Sequence, residues 1–286
     1  ASNVAVGYEA LKANTTASNN TAVGYASLIA NTTGANNVAV GSTALDANTT
    51  TNDNTAIGAG ALSANTAAEN TGVGKSALLL NTTGAGNTAI GKDALRANTT
   101  ASNNVAVGLD ALTANTTGAS NTAIGRNAML SNTTGAENTA LGIYAMDSNT
   151  TASSNTGVGY NAGGWTTGSN NVGVGASSLR QATTGTGNVA VGNNALYTQT
   201  SASNNTGVGY GALEANTSGA TNVAVGYLAL NDNTTASNNT AVGSSALAAN
   251  TTGTENLAIG KDAGVALTTG GNNLAIGHQA LATATT

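Results

Sequence analysis

The chain has 286 residues, a formal charge of −5 and only 7% charged side chains, and it lacks Cys, Pro and Phe. The scattered cations form no basic face, which argues against nucleic-acid binding through phosphates. No apolar run approaches membrane-spanning length, and no signal-peptide pattern is visible. The 40% hydrophobic content is mostly Ala, Val and Leu, too much for a charge-expanded disordered chain, and the 38 glycines follow no collagen-like period.

A five-residue motif, Asn, then Thr/Val/Leu, Ala/Gly, Val/Ile/Leu and Gly, opens the chain at Asn3-Val4-Ala5-Val6-Gly7. It occurs seventeen times in all, nearly always seventeen residues apart, ending at Asn273-Leu274-Ala275-Ile276-Gly277. A short fixed period is the mark of a solenoid or array. The middle of the motif is short and rich in β-branched residues, so it predicts a strand that glycine ends at a bend. One strand face carries Val/Ile and Thr/Val, the other Ala and Gly. Neither face is polar, so both are expected to be covered. One cover is the opposite wall of the same coil, and the Ala/Gly face allows close approach at an interface between chains.

Two variable residues follow each glycine, and then Ala-Leu, as in Ala10-Leu11 and Ala246-Leu247. This pair predicts a second short strand with one large inward anchor per coil. Next comes Asn-Thr-Thr with Gly, Ala and Ser, a turn. Two copies are one residue short, around Glu69 and Ser169, and both deletions fall in this turn. Seventeen residues cannot hold two helices and their turns. The composition therefore predicts an all-β fold: a parallel β-solenoid, or β-roll, of about seventeen coils. At a strand spacing of roughly 4.8 Å it makes a rod of about 80 Å. The expected organisation is a single repeat domain over 1–286, with irregular coils near 159–187 and 260–272 and no separate cap. The chain begins and ends inside a repeat, as expected of a part of something longer. A coil this thin buries little apolar area against its backbone entropy, so self-association is expected.

The one-off residues are few. Gly72-Val73-Gly74-Lys75-Ser76 resembles the end of a phosphate-binding loop, but Glu69 stands where that motif needs its first glycine, and every residue falls in a repeat column. Lys92-Asp93 and Lys261-Asp262 read as local surface charge. Tyr8, Tyr25, Tyr160, Tyr210 and Tyr227 directly follow a motif glycine and are candidate ligand contacts that stack on sugars or partner proteins; the competing and preferred reading is half-buried packing. The Leu column is interrupted by Met129, Met146, Gly163 and Gly264. Gly163-Gly164-Trp165 is the most individual spot, read as a kink filled by Trp165 or as a binding notch, with the kink preferred. Asn-Thr-Thr matches the glycosylation pattern in most coils, including Asn14, Asn31, Asn48 and Asn98. His278 is the single histidine, so no His-based metal cluster or catalytic triad forms within one chain. No cofactor, metal site or catalytic set is expected.

Asn37-Val38-Ala39-Val40-Gly41 and Asn256-Leu257-Ala258-Ile259-Gly260 resemble the head repeat of trimeric autotransporter adhesins of the YadA type. Similar arrays occur in phage tail-fibre-like and other surface fibre proteins. The resemblance covers essentially the whole chain, although the repeat here is longer by its Asn-Thr-Thr turn and no stalk, neck or anchor is present. It implies a left-handed β-roll, three chains side by side as a homotrimer, exposed on a cell or virion surface and binding host, matrix or glycan material. The expected function is a structural, non-enzymatic extracellular fibre segment: an adhesin head, a tail-fibre shaft or a filament growing end to end. The alternative is an ice-binding solenoid, with the turn threonines as a ladder. An enzyme ranks third, because no acidic, basic or nucleophilic pair stands out from the repeat.

Overall fold

The computed structural model describes residues 2–165 and 167–286. Its regular elements are seventeen three-residue strands, with no helix among the described residues. The chain forms two compact units, Ala1–Thr151 and Ala152–Thr286. The first holds β1 (Val4–Val6) to β9 (Thr139–Leu141), the second β10 (Thr156–Val158) to β17 (Leu274–Ile276).

Within each unit every strand pairs in parallel with the next in sequence, and the register is the repeat itself. Ala5 stands opposite Ala22 in the first unit, and Ala224 opposite Ala241 in the second. Each turn of chain thus carries one strand onto the next, which makes the fold a parallel β-solenoid. The two shortened copies keep register, with Thr55 opposite Thr71 and Thr156 opposite Val172; the turn has absorbed the deletion.

The ladder continues outside the strands. Thr21 N–H donates to Asn37 O at 2.9 Å, Leu28 N–H to Ala44 O at 3.0 Å and Thr32 N–H to Thr49 O at 2.8 Å. In the other direction, Gly24 N–H donates to Val6 O at 2.8 Å and Ala26 N–H to Tyr8 O at 2.9 Å. A single turn has almost no internal partners for these groups. Buried peptide groups must be paired, so the rungs above and below supply what each turn lacks.

The structure corrects the second predicted strand. The Ala-Leu segment is a series of turns, because its leucines are left-handed: φ is 51° at Leu28 and 54° at Leu112. The residue two before each leucine is also left-handed, with φ of 52° at Ala26 and 55° at Asp110. Alternating left-handed residues cannot form a pleated strand. Such a conformation costs an L residue roughly 1–2 kcal/mol. Asn, Asp, Ser or Gly often occupies the earlier position and eases that cost. At the later one, full burial of leucine contributes about 1.5–3 kcal/mol in return.

The two faces of the strand are also reversed from expectation. The Ala/Gly residue at the strand centre points into the coil and is fully buried in most copies, while Val/Ile and Thr/Val point outward and stay half-exposed. A one-strand coil is so narrow that only Ala or Gly fits inside at that point. The core of most turns is therefore this residue, the Ala-Leu pair, and two asparagines.

Those asparagines form two buried columns. In the column before the strands, Oδ1 of Asn20 accepts from Asn37 N–H at 2.8 Å, and Nδ2 of Asn20 donates to Gly34 O at 2.8 Å. In the turn column, Nδ2 of Asn98 donates to Asn81 Oδ1 at 2.7 Å and to Ala101 O at 2.9 Å, and Oδ1 of Asn98 accepts from Asn115 Nδ2 at 3.0 Å. Leaving one such buried partner unsatisfied costs about 1–3 kcal/mol. Asparagine therefore holds these columns because its amide both donates and accepts, one rung to the next. Gln199 replaces asparagine once and keeps the bond within the turn, donating to Ala202 O at 2.8 Å, whereas Ala182 and Leu267 take the place of asparagine in two other turns.

The motif glycine is fixed by two constraints. At Gly108 φ is 137°, and a Cβ there would lie 2.6 Å from Gly125 O of the next rung. Gly108→Ala is thus expected to destabilise the fold by about 3 kcal/mol or more, while Leu109→Ala, one residue on and exposed, leaves it nearly unchanged. Thermal unfolding of the two variants checks this; equal midpoints would contradict it.

Candidate interaction faces

Three outward features qualify as interaction surfaces: the strand face, the tyrosine stripe and the turn threonines. The strand face consists of two parallel ranks. The first is Thr, Val or Leu and the second Val, Ile or Leu, and no charged residue stands in either. In the second rank Ile57, Ile90, Ile124 and Leu141 are exposed, as are Val191, Val225, Val242 and Ile259. Sequence reasoning placed these aliphatic side chains inside. The signal it missed is size: the Ala/Gly column never admits a larger residue, whereas the flanking columns vary freely.

The column after the motif glycine lies beside these ranks. Tyr8, Tyr25, Tyr160, Tyr210 and Tyr227 are each more than half exposed, so the half-buried packing preferred from sequence is corrected. Tyr8 and Tyr25 stack with ring centroids 5.6 Å apart and planes 9° from parallel. Tyr210 and Tyr227 repeat this at 5.6 Å and 16°. Face-to-face stacking turns the inner ring faces of each pair to each other. That geometry offers no open ring face between the two tyrosines on which a sugar could lie.

Trp165 is wholly buried, which removes it from the ligand contacts. It fills the space vacated by leucine: a Cβ on Gly163 would fall 2.2 Å from the indole Cζ3, and one on Gly164 would fall 1.8 Å from Arg180 O. Gly163-Gly164-Trp165 is thus one packing solution, with Gly163 making room for the large ring and Gly164 for the carbonyl of the next rung. The second interruption is solved the same way. Leu267 is fully buried and approaches Gly264, where a Cβ would meet its Cδ1 at 3.0 Å.

The glycosylation candidates are corrected too. Asn31, Asn48 and Asn98 are fully buried in the turn column, with their Nδ2 atoms committed to hydrogen bonds, as in Asn48 to Asn31 Oδ1 at 2.9 Å. Asn14 is partly buried and donates to Ala17 O at 3.4 Å. A glycan on any of the three buried nitrogens is incompatible with this fold.

The turn threonines brace the solenoid. Thr32 Oγ1 donates to Thr49 O at 3.0 Å, Thr82 to Thr99 O at 2.9 Å and Thr183 to Thr200 O at 2.9 Å. Their hydroxyl protons are spent on backbone rather than presented as a free array. Charges are local, as expected: Lys92 pairs with Asp93 at 3.1 Å and Lys261 with Asp262 at 3.2 Å. Lys12 donates to Glu9 at 2.6 Å, and this bond raises the ammonium pKa above its ordinary value. Lys75 and Ser76 follow strand Thr71–Val73 in a turn, without the helix a phosphate loop requires. His278 is exposed, and among the described residues no group of three or more His, Cys, Asp or Glu is placed to hold a metal. Nor is any helix among them long and apolar enough to cross a membrane.

No family model, no curated protein and no solved structure matches this chain.

As the single tryptophan, Trp165 reports on its own enclosure. Its fluorescence is expected to resist quenching by acrylamide in the folded protein, and Trp165→Ala to cost about 3–5 kcal/mol of stability. Ready quenching in the native state would place the ring at the surface and contradict the packing described.

Proposed function

We propose that this chain is a structural, non-enzymatic segment of an extracellular fibre, associating side by side with copies of itself. The observation that carries the proposal is the outward strand face, with one aliphatic rank of Val, Ile and Leu beside an uncharged rank of Thr, Val and Leu. At a rung spacing of ~4.8 Å and a strand width of ~10 Å, the nine strands of the first unit present about 430 Å² and the eight of the second about 380 Å². Because successive rungs carry near-identical residues, the face meets a copy of itself with matched chemistry along its length. A side-by-side homotrimer, left-handed in each chain, agrees with the resemblance to YadA-type heads. In this reading the opposite, turn-rich sides face outward and meet host surface, matrix or glycan, on a cell or virion surface.

A second reading, ice binding, is favoured by the same geometry. The strand face, unlike the turn threonines, forms two parallel ranks, and Thr occupies many first-rank positions such as Thr55, Thr71 and Thr88. Sedimentation and thermal hysteresis on one sample separate the two. Self-association predicts three times the 27.3 kDa chain mass and no hysteresis. It also predicts that Val107→Lys with Ile124→Lys, both outward, dissociates the assembly without loss of β-structure. A wild-type monomer at high concentration, or a trimer indifferent to the two lysines, would overturn it. A monomer with strong hysteresis would favour ice.

A further inference from the structure

We propose that Tyr8–Tyr25 and Tyr210–Tyr227 are sites of oxidative cross-linking, each pair joining into a dityrosine that staples one solenoid turn to the next. The rings of each pair lie nearly parallel, with centroids 5.6 Å apart. All four side chains are more than half exposed, so a diffusing oxidant reaches them. Their backbones are fixed: Tyr8 O accepts from Ala26 N–H at 2.9 Å, and Tyr210 O accepts from Leu228 N–H at 2.9 Å. The two phenols are therefore held as neighbours by the ladder itself, and their coupling is effectively unimolecular. The chain has no cysteine, so disulfides cannot supply a covalent link between turns.

The chemistry requires a one-electron oxidant, such as a haem peroxidase with hydrogen peroxide. Each phenol gives up one electron and its hydroxyl proton, forming a phenoxyl radical with spin density at the ring carbons beside the oxygen. One such Cε of each ring forms the new carbon–carbon bond. Each ring then regains aromaticity as the hydrogen on that carbon is lost and the oxygen is reprotonated. In sum two electrons and two protons leave the protein, and one hydrogen peroxide becomes two waters. The product closes a covalent loop around one turn of the solenoid, which limits fraying of that turn from its neighbour.

The test treats the folded full-length chain with peroxidase and hydrogen peroxide at several protein concentrations, followed by protease digestion and mass spectrometry. Trypsin cuts after Lys12 and Lys75, so coupling at the first pair joins peptide 1–12 to peptide 13–75 with the loss of two hydrogens. Cleavage at Glu214 separates Tyr210 from Tyr227 and reads the second pair in the same way. Both cross-links are expected within single chains, at yields independent of protein concentration, and with dityrosine fluorescence. Tyr25→Phe should abolish the first link and leave the second, since phenylalanine forms no phenoxyl radical. Unfolding in denaturant before oxidation should suppress both. Cross-links found only between chains and rising with concentration would overturn the proposal. So would equal yields from native and unfolded protein, or oxidation without coupling at these pairs.

Discussion

Everything in this structure depends on the rung-to-rung ladder of backbone hydrogen bonds. A seventeen-residue turn with one three-residue strand has few partners of its own for its peptide groups. Left-handed leucines and glycines at φ values such as 137° direct successive N–H and C=O groups toward the neighbouring turns. Stability is then a property of stacking, shared between adjacent rungs. The buried asparagines extend the same logic from backbone to side chain, and the turn threonines extend it again on the outside. Three parallel systems of hydrogen bonds thus run from rung to rung within each unit.

That ladder sets how closely rungs approach, and closeness decides which residues are allowed. The motif glycine has no room for a Cβ against the next carbonyl, and the strand centre has room for Ala or Gly alone. Large aliphatic side chains are therefore pushed to the outside of the strand, except for one leucine per turn. Where leucine is missing, the space is not left empty: Trp165 and Leu267 enter it from a few residues downstream. The same narrowness that forces alanine inward creates the apolar outer face on which the proposed self-association rests.

Much of this was legible in the sequence. The period gave the solenoid, the motif gave strand position and register, and the two short copies located their deletions in a turn. What misled was the usual equation of large aliphatic with inside. It holds for Leu45 and Leu62, and fails for Ile57 and Ile90, because the cross-section of a one-strand coil admits few large side chains. The Ala-Leu segment was misread for a related reason. Left-handed backbone at a leucine has no signature in composition, and burial alone explains why it is tolerated. The glycosylation pattern at Asn31 and Asn98 was likewise a by-product of a column selected for buried amides. The lysine–aspartate pairs and the overlap with the phosphate-loop motif needed nothing beyond the repeat itself.

The chain lacks cysteine, so spin labels on introduced thiols can measure the rung spacing directly. Tyr25, Leu109 and Ile143 are exposed and occupy the same column. Labels at 25 and 109 span five rungs, about 24 Å, and labels at 25 and 143 span seven, about 34 Å. With labelled chain diluted into an excess of unlabelled protein, the two distances are predicted to differ by about 10 Å, two rungs for thirty-four residues of chain. Equal distances, or a separation unrelated to the number of turns between the labels, would contradict the stacked-rung account.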